Sequence, residues 1–409
     1  MYQTAHRDAA DAVPGTELIL AGNGPGELAG WIRPTAEAVR AGGAHVRLTL
    51  ALLPTQFSGG AELETVRSWR LFDRIIAPME ALRAAAGIGS LDVLPAAALV
   101  HLGGDLWLSS ALASHLGIAA CAFSETTLIA SRHSRFDRIF VPTAAHATAL
   151  QARGVPQAKI LITGDPRAAG PARARREANS SAAGAAGETI ALLAGSRDRF
   201  FRAALPIFLD IAGALARIRP RASFDVIVAP FVTRPALRAA QHDATRRHPA
   251  LPLRWVTGGP WPDLTRTTLA LTLPGSVTIE LAAGGTPFAV VVPIDQVGVA
   301  AVEGPLEWIA RLTGLHRLVK RIALERYRRR FTFLALPNQR AGREVAPEWV
   351  GRWTAGDIAN RLSSLLDDPQ ALADMNATLS QLYVADAPAP SRIAGAALEL
   401  ARSPRRARA

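Results

Sequence analysis

Short apolar runs alternate with longer segments of helical periodicity through most of the chain. In the first part the runs predict strands at 17–21, 45–52, 74–77, 97–102, 119–123, 138–141 and 160–163. The pattern restarts near residue 188 and predicts strands at 189–193, 224–228, 253–256, 269–273 and 288–292. Strands separated by helical crossovers form parallel sheets that are covered on both faces. The pattern therefore predicts an α/β protein with two Rossmann-like, doubly wound parallel-sheet domains.

A stretch rich in alanine, arginine, serine and glycine separates the two halves of this pattern, from Pro171 to Gly187. It lacks periodicity, which is typical of a linker. We expect an N-terminal domain at 1–168, a linker at 169–187, a C-terminal domain at 188–352, and helices at 353–409 that pack back and end in a basic tail. Two such domains place a ligand site in a central cleft, at the carboxyl ends of both sheets.

The segment Leu269–Pro293 carries the clearest local signal. A buried strand leads through the turn Pro274-Gly275-Ser276 into a short helix, and a second buried strand follows. Ser276 is predicted to cap that helix, whose free backbone N–H groups favour an anionic ligand. Glu280 lies four residues further on, where its carboxylate can meet a sugar hydroxyl. A carboxylate beside an anion site indicates a nucleotide sugar.

The charge of the chain narrows the classes of partner. The net charge is +12, and all but two of the 46 basic residues are arginine, which indicates codon bias as much as function. A basic surface favours nucleic acid, anionic lipid or phosphorylated substrates. Aromatic residues make up only 6% of the chain and no nucleic-acid motif occurs, so we expect no nucleic-acid partner. Anionic lipid or a nucleotide sugar is favoured.

The cysteine content and the hydropathy of the chain indicate its cellular compartment. The single cysteine, Cys121, excludes a disulfide scaffold and a cysteine-based metal site. The first fifteen residues are polar, and no run of eighteen uncharged apolar residues occurs. We therefore expect a cytoplasmic protein without a signal peptide or a membrane span.

The first glycine-rich loop, Gly22 to Glu27, follows the first predicted strand. It departs from the dinucleotide fingerprint because Glu27 replaces the third glycine, and no acid follows the second strand, so NAD is disfavoured. No P-loop motif occurs either. The loop is either a tight strand-to-helix turn or a binding loop. In the second case Asn23, Gly24 and Gly26 are candidate substrate contacts and Glu27 is a candidate catalytic acid.

Asp105 follows the strand that ends in His101-Leu102-Gly103-Gly104. Its carboxylate could act as a general base, since the two glycines allow a ligand to approach closely. The alternative is an aspartate that caps the helix beginning at Leu106. The pattern alone leaves both interpretations open.

Gly195-Ser196-Arg197 follows the first strand of the second domain and could grip a diphosphate, because a guanidinium group binds phosphate through two parallel hydrogen bonds. A surface arginine is the alternative. No Asp-x-Asp or His-x-x-x-His cluster occurs, so we expect no metal, and no Gly-x-Ser-x-Gly elbow occurs.

The segment from Arg317 to Arg330 has a basic amphipathic pattern. It either docks on an anionic membrane or is a solvated helix face.

Several segments of the chain resemble lipid-A-disaccharide synthases. The most specific is Leu336-Pro337-Asn338-x-x-Ala341-Gly342-Arg343-Glu344. Leu193 to Arg197 is similar to the family's Leu-Pro-Gly-Ser-Arg, Gly275 to Ala282 is similar to its Ser-Gly-Thr helix, and Asp105 aligns with its proposed catalytic region. The likeness extends from about residue 17 to 384. The loop Gly22–Glu27 departs from the family's Gly-Glu-x-Ser-Gly-Asp and resembles the branch of lipid-A-disaccharide-synthase-related proteins.

The resemblance implies a metal-independent, inverting glycosyltransferase of the two-Rossmann (GT-B) type. Such an enzyme joins a UDP-diacylglucosamine donor to an acylated glucosamine 1-phosphate acceptor, needs no cofactor, and lies peripherally on the cytoplasmic face of the anionic inner membrane. Asp105 would activate the acceptor hydroxyl. The donor would be bound by Gly195, Ser196, Arg197, Gly275, Ser276, Glu280, Asn338, Arg343 and Glu344.

Several alternatives stay open. The chain could be a UDP-sugar glycosyltransferase with a different lipid acceptor, or an enzyme related to UDP-N-acetylglucosamine epimerases. It could also be a relative that binds nucleotide sugar or lipid without turnover. The acceptor, its acyl-chain length and the oligomeric state stay open, with a homodimer as one option.

Overall fold

The computed structural model describes residues 15–43, 45–54, 61–180, 188–257, 261–293 and 332–403. The chain divides into two compact units. The first contains residues up to Ala169 together with those from Ala385 onward, and the second is Gly170–Val384. Each unit has its own parallel sheet. The basic segment Arg317–Arg330 lies outside the described residues.

The sheet of the first unit has seven parallel strands in the order β3-β2-β1-β4-β5-β6-β7. Its strands are nearly continuous apolar runs, which suits strands covered on both faces. The chain order reverses between β1 and β4, where a doubly wound sheet places its ligand site. The strands are β1 Thr16–Gly22, β2 Val46–Leu52, β3 Arg74–Ile76, β4 Ala96–His101, β5 Ala119–Phe123, β6 Arg138–Val141 and β7 Ile160–Ile162.

Helices cover this sheet, and the last of them comes from the far end of the sequence. That helix packs on α1, β1 and β4, and its Arg402 Nε lies 3.4 Å from Thr16 Oγ1. The helices of the first unit are α1 Arg33–Ala41, α2 Glu62–Ser68, α3 Pro78–Ala85, α4 Leu106–His115, α5 Ala144–Gln151 and the final α14 Ala389–Arg402. Helical turns at Pro25–Glu27 and Leu28–Ile32 lead into α1, and a 3₁₀ segment spans Thr127–Arg135.

The sheet of the second unit has six parallel strands in the order β10-β9-β8-β11-β12-β13, so its order reverses between β8 and β11. The strands are β8 Thr189–Leu193, β9 Ser223–Ile227, β10 Leu253–Val256, β11 Leu269–Thr272, β12 Phe288–Pro293 and β13 Glu348–Gly351. The sequence did not predict β13. It is a half-buried edge strand of four residues that starts with a glutamate, so it lacks the apolar run that marks the others.

Eight helices belong to the described part of the second unit. The segment expected as a linker is helical from Ala169 to Ser180, because alanine and arginine are strong helix formers. The helices are α6 Ala169–Ser180, α7 Asp198–Ile218, α8 Arg234–Arg247, α9 Trp261–Leu264, α10 Val277–Gly284, α11 Leu336–Ala341, α12 Ala355–Leu366 and α13 Pro369–Leu382.

The predicted fold class is confirmed: two Rossmann-like, doubly wound parallel sheets with helices after the second sheet. All twelve strands expected from the apolar runs are present. Among the helices of the described residues, none is long and apolar enough to cross a membrane.

Candidate functional site

The loops that carry the candidate residues follow the two central strands of each sheet. In the first unit they follow β1 and β4, which are neighbours in the sheet. In the second unit they follow β8 and β11, which are also neighbours. In a doubly wound sheet the carboxyl ends of these two strands flank the ligand crevice. Each unit therefore brings its own two loops together at one edge.

Glu27 joins the two loops of the first unit. Its Oε2 accepts hydrogen bonds from the backbone N–H groups of Asn23 at 3.1 Å and Gly24 at 2.9 Å, and its Oε1 accepts one from Gly104 at 3.1 Å. A Cβ at Gly103 would lie 2.2 Å from the carboxyl carbon of Glu27, so only glycine allows this approach. These contacts favour a positioning role for Glu27 over the catalytic role that the sequence suggested.

Asp105 caps α4 and still has an unoccupied oxygen. Its Oδ1 accepts from the backbone N–H groups of Trp107 at 2.7 Å and Leu108 at 3.0 Å, which is the capping interpretation left open by the sequence. Oδ2 accepts no hydrogen bond from the described residues, and the side chain is exposed. The cap fixes the carboxylate at the carboxyl edge of the sheet with one oxygen free to accept a proton.

His101 lies beneath this loop at the end of β4. It is buried, and its Nδ1 is 2.8 Å from Ser109 Oγ. Burial lowers the pKa of His101 to about 4, although the charge of Asp105 opposes this shift. The imidazole is thus neutral near pH 7 and contacts α4, the helix that Asp105 caps. The sequence showed a histidine at a strand end but not its burial.

A buried arginine at the same edge was not singled out by the sequence analysis. Arg167 pairs with Asp165, with Nε to Oδ1 at 2.9 Å, and also with Glu125. Its guanidinium lies 5.1 Å from the ring centroid of Trp31. The sequence signal is Asp165-x-Arg167 after a predicted strand, but the preceding glycine and the proline between them are equally typical of a turn.

In the second unit, the loop after β8 opens α7. Gly195 has a φ of +106°, and a Cβ there would lie 2.9 Å from Phe200 Cβ. Ser196 is exposed, and Arg197 is half-buried at the N-cap position of α7, where no side chain caps the helix. The carboxylate of Asp198 accepts a hydrogen bond from the backbone N–H of Thr233 at 2.8 Å.

The predicted capping role of Ser276 is wrong. A capping serine has extended backbone angles, whereas Ser276 has a φ of −58° and a ψ of −31°, and its hydroxyl makes no capping bond. Thr278 Oγ1 instead donates to the carbonyl of Gly275 at 2.7 Å. The start of α10 therefore has no side-chain cap. Glu280 lies half-buried in the first turn of this helix.

Asn338 lies inside the protein rather than on a binding surface. Its Oδ1 accepts from Val345 N at 2.8 Å and Ala346 N at 3.0 Å, and its Nδ2 donates to Ala346 O and to Glu348 Oε1, both at 2.8 Å. Glu348 also accepts from Leu334 N and Ala335 N. Every hydrogen-bonding position of the amide is thus used by the protein, and the network holds α11 against the start of β13.

The loop Gly342–Pro347 lies at the opposite edge of the second sheet from Gly195 and Ser276. It leads into β13, which runs parallel to β12 with Glu348 beside Val290. A segment that precedes a parallel strand lies at the amino edge, whereas the loops after β8 and β11 lie at the carboxyl edge. Arg343 and Glu344 are exposed in this loop. The structure therefore does not bring them together with the other predicted donor contacts.

Metal ligands are not clustered in the part of the chain that the structure describes. No group of three or more histidine, cysteine, aspartate or glutamate side chains there could hold a metal ion. Metal independence stays a prediction.

Comparison with solved structures defines the class of fold. A UDP-GlcNAc 2-epimerase from Neisseria meningitidis bound to UDP-GlcNAc has a TM-score of 0.54 at 10% identity, covering 94% of this chain and 100% of that chain. MurG of Acinetobacter baumannii has a TM-score of 0.53 at 13% identity, covering 94% and 99%. An S. aureus MnaA–UDP structure has a TM-score of 0.53 at 11% identity, covering 92% of this chain and 94% of that chain. At these identities the likeness establishes the fold, which is GT-B.

A match in amino-acid sequence is more specific than these likenesses in structure. The chain is 29% identical over 215 residues to a lipid-A-disaccharide synthase of Chromobacterium violaceum, covering 52% of this chain and 49% of that protein. The resemblance drawn from the motifs is thereby confirmed. The chain spans about half the length of the curated relative that it matches. No family model matches the chain.

Proposed function

We propose that this protein is an inverting glycosyltransferase that moves an acylated glucosamine from a UDP-sugar to a lipid acceptor, as lipid-A-disaccharide synthases do. One observation carries the proposal. The second sheet leads into two helices, α7 and α10, whose N-cap side chains make no capping bond, and the first sheet leads to Asp105, whose Oδ2 accepts no hydrogen bond from the described residues. The two helix starts are suited to binding a diphosphate, and Asp105 is suited to acting as a general base.

The donor half rests on the second unit. The helix dipoles at the starts of α7 and α10 favour negative charge, and Arg197 adds a guanidinium group that can bind phosphate through two hydrogen bonds. Glu280 in the first turn of α10 would accept hydrogen bonds from hydroxyls of the sugar. Gly195 and Gly275 let the diphosphate approach the backbone closely.

The transfer step rests on the first unit. The hydroxyl oxygen of the acceptor forms a bond to the anomeric carbon of the donor, and the bond from that carbon to the phosphate oxygen breaks. UDP leaves with the electron pair, and Oδ2 of Asp105 takes the proton of the hydroxyl. The configuration inverts because attack and departure occur on opposite faces of the sugar. No metal is needed if Arg197 and the helix starts balance the charge of the leaving diphosphate.

The test is a mass-spectrometric turnover assay in detergent micelles without added metal. The substrates are UDP-2,3-diacylglucosamine and 2,3-diacylglucosamine 1-phosphate, and the product is lipid A disaccharide 1-phosphate. We expect Asp105→Asn to lower turnover about 100- to 10,000-fold, since general-base catalysis contributes this much. Asparagine caps a helix as well as aspartate does, so the fold is retained.

Asp368→Asn is the matched control. Asp368 caps α13 in the second unit by accepting from Ala371 N at 2.9 Å, so the same change is made at the same kind of position. It should leave turnover within about twofold of the parent, as exposed substitutions usually do. If UDP were released only with a different lipid acceptor, the protein would be a glycosyltransferase, but lipid A disaccharide 1-phosphate would not be its product. No turnover with any UDP-sugar would contradict the proposal and leave a binding protein.

A second candidate is a UDP-N-acetylglucosamine 2-epimerase, because structures of that class share the fold over 94% of this chain. Such an enzyme needs no lipid acceptor. Incubation with UDP-GlcNAc alone, followed by separation of the two epimers, distinguishes the two activities. We expect no epimer to form.

A further inference from the structure

A groove of about 460 Å³ runs along α4 in the first unit. Its floor is one face of that helix, because the lining residues recur at spacings of three and four. Ala85 of α3 closes one side, and two arginines of the 3₁₀ segment Thr127–Arg135 close the other. The lining residues are Ala85, Trp107, Ser110, Ala111, Ser114, His115, Arg132 and Arg135.

The groove is cationic. Arg132 and Arg135 are three residues apart on a 3₁₀ helix, which has three residues per turn, so both lie on the same side of it. Both are exposed, and neither side chain makes a hydrogen bond or an ion pair with any described residue. No carboxylate lines the groove. Guanidinium groups with unused donors are suited to a phosphate.

The elements that line the groove carry exposed apolar side chains. The described residues include eight large hydrophobic side chains that are exposed, and five of them lie on or beside α3, α4 and the 3₁₀ segment. These elements pack side by side, α3 on α4 and α4 on the 3₁₀ segment. The five residues, with their exposed fractions, are Met79 (64%), Leu82 (37%), Ile88 (57%), Trp107 (52%) and Leu128 (74%).

We propose that this groove and the exposed apolar side chains of the elements that line it dock the protein on an anionic membrane, with a phospholipid headgroup phosphate held by Arg132 and Arg135. The ring of Trp107 would lie at the level of the headgroups, where indole is favoured. Leu128 and Met79 would enter the acyl region. A small soluble anion would use the arginines but would leave these apolar side chains in water, so the combination points to a lipid surface.

The inference deepens the proposed function, since a lipid-linked acceptor is met at a membrane surface. Its test, however, requires no turnover. The measurement is co-sedimentation of the full chain with phosphatidylcholine vesicles, with and without phosphatidylglycerol. We expect tighter binding to the anionic vesicles. Arg132→Gln with Arg135→Gln should weaken that binding about 30-fold, given the usual contribution of each basic side chain near an anionic surface.

Two controls match these changes in the second unit. Arg234→Gln with Arg238→Gln removes the same charge from exposed positions of α8 and should change binding by less than about threefold. Leu128→Asn should weaken binding about tenfold to both kinds of vesicle, whereas Ile218→Asn, which is 45% exposed, should not. Residues 317–330 are intact in every variant, so any binding they provide is common to all.

Three results would overturn the inference. The groove variants could sediment with vesicles as the parent does. Calorimetry with inorganic phosphate could show a site that Arg132→Gln with Arg135→Gln removes while vesicle binding is unchanged, which would indicate a soluble anion. The same variant could alter the sedimentation coefficient instead of vesicle binding, which would indicate a protein interface. The affinity for UDP, measured in solution on each variant, reports the fold and separates this outcome from failure of the proposed function.

Discussion

The two sheets share a strand order around their central strands, yet their loops at the carboxyl edge are built differently. In the first unit, Glu27 and Asp105 bind five backbone N–H groups between them. In the second unit, the starts of α7 and α10 receive no side-chain cap. The first edge is therefore held by its own carboxylates, whereas the helix starts of the second edge receive no capping bond from the side chains of Arg197 and Ser276.

Under the proposed function, this difference would separate two tasks of the transfer reaction. A helix start whose N–H groups already bind a carboxylate repels a phosphate, so the first edge is suited to holding a base in place. A helix start without a cap attracts a phosphate. Under the proposed function, the same topology would thus hold a base in the first unit and an anion in the second.

The comparison would fail if the donor were bound at the amino edge of the second sheet. Asn338→Ala should lower the free energy of unfolding by about 2–4 kcal/mol, because four hydrogen bonds of a buried amide are lost. Arg343→Ala, in the exposed loop nearby, should change it by less than about 0.5 kcal/mol. Urea denaturation measures both values. Loss of UDP affinity in Arg343→Ala with unchanged stability would contradict the assignment of the donor to the carboxyl edge.

The anion site of the second unit is tested by Arg197→Gln. We expect the dissociation constant for UDP to rise about 10- to 100-fold, since hydrogen bonds to charged groups contribute about 1.5–3 kcal/mol. Arg202→Gln, an exposed position further along α7, is the control and should bind UDP as the parent does. Isothermal titration calorimetry gives both constants. Equal affinities in the two variants would remove Arg197 from the site.

Glu27→Gln tests the bridge of the first unit. Glutamine retains one acceptor oxygen, so at least one of the three backbone bonds should be lost, with a drop of about 1–2 kcal/mol in the free energy of unfolding. We expect turnover to fall about tenfold and the affinity for UDP to stay unchanged, because the bridge positions only the loop of Asp105. A loss of turnover as large as that of Asp105→Asn would instead make Glu27 a catalytic residue.

The buried His101 predicts a pH dependence of stability. Its pKa is about 4 in the folded protein and near 6.5 when unfolded, so the unfolded state binds the extra proton between these values. Stability from this group is present above pH 6.5 and is lost as the pH falls toward 4, by about 1 kcal/mol between pH 6 and pH 5. Thermal unfolding of the parent and of His101→Gln across this range should show a flatter profile for the variant.

Strands and loop positions could be predicted from the sequence because parallel strands buried on both faces are continuous apolar runs. The roles of individual side chains could not. In the sequence, Glu27 is an acid in a loop. Its positioning role could not be predicted because one of its partners, Gly104, lies 77 residues away in sequence. Ser276 reads as a cap, and only its backbone angles exclude this role. Asn338 reads as a ligand contact because the motif does not show that its partners are seven to ten residues downstream.

The last helix has a consequence for biosynthesis. α14 packs on α1, β1 and β4, so the first unit cannot be completed until Ala389–Arg402 has left the ribosome. At typical elongation rates the whole second unit is made in the interval, which delays completion by roughly 10–40 seconds. The apolar side chains that α14 covers are exposed during that time. The nascent first unit is therefore expected to be a client of chaperones, and the second unit, which is continuous in sequence, is expected to reach its native state first.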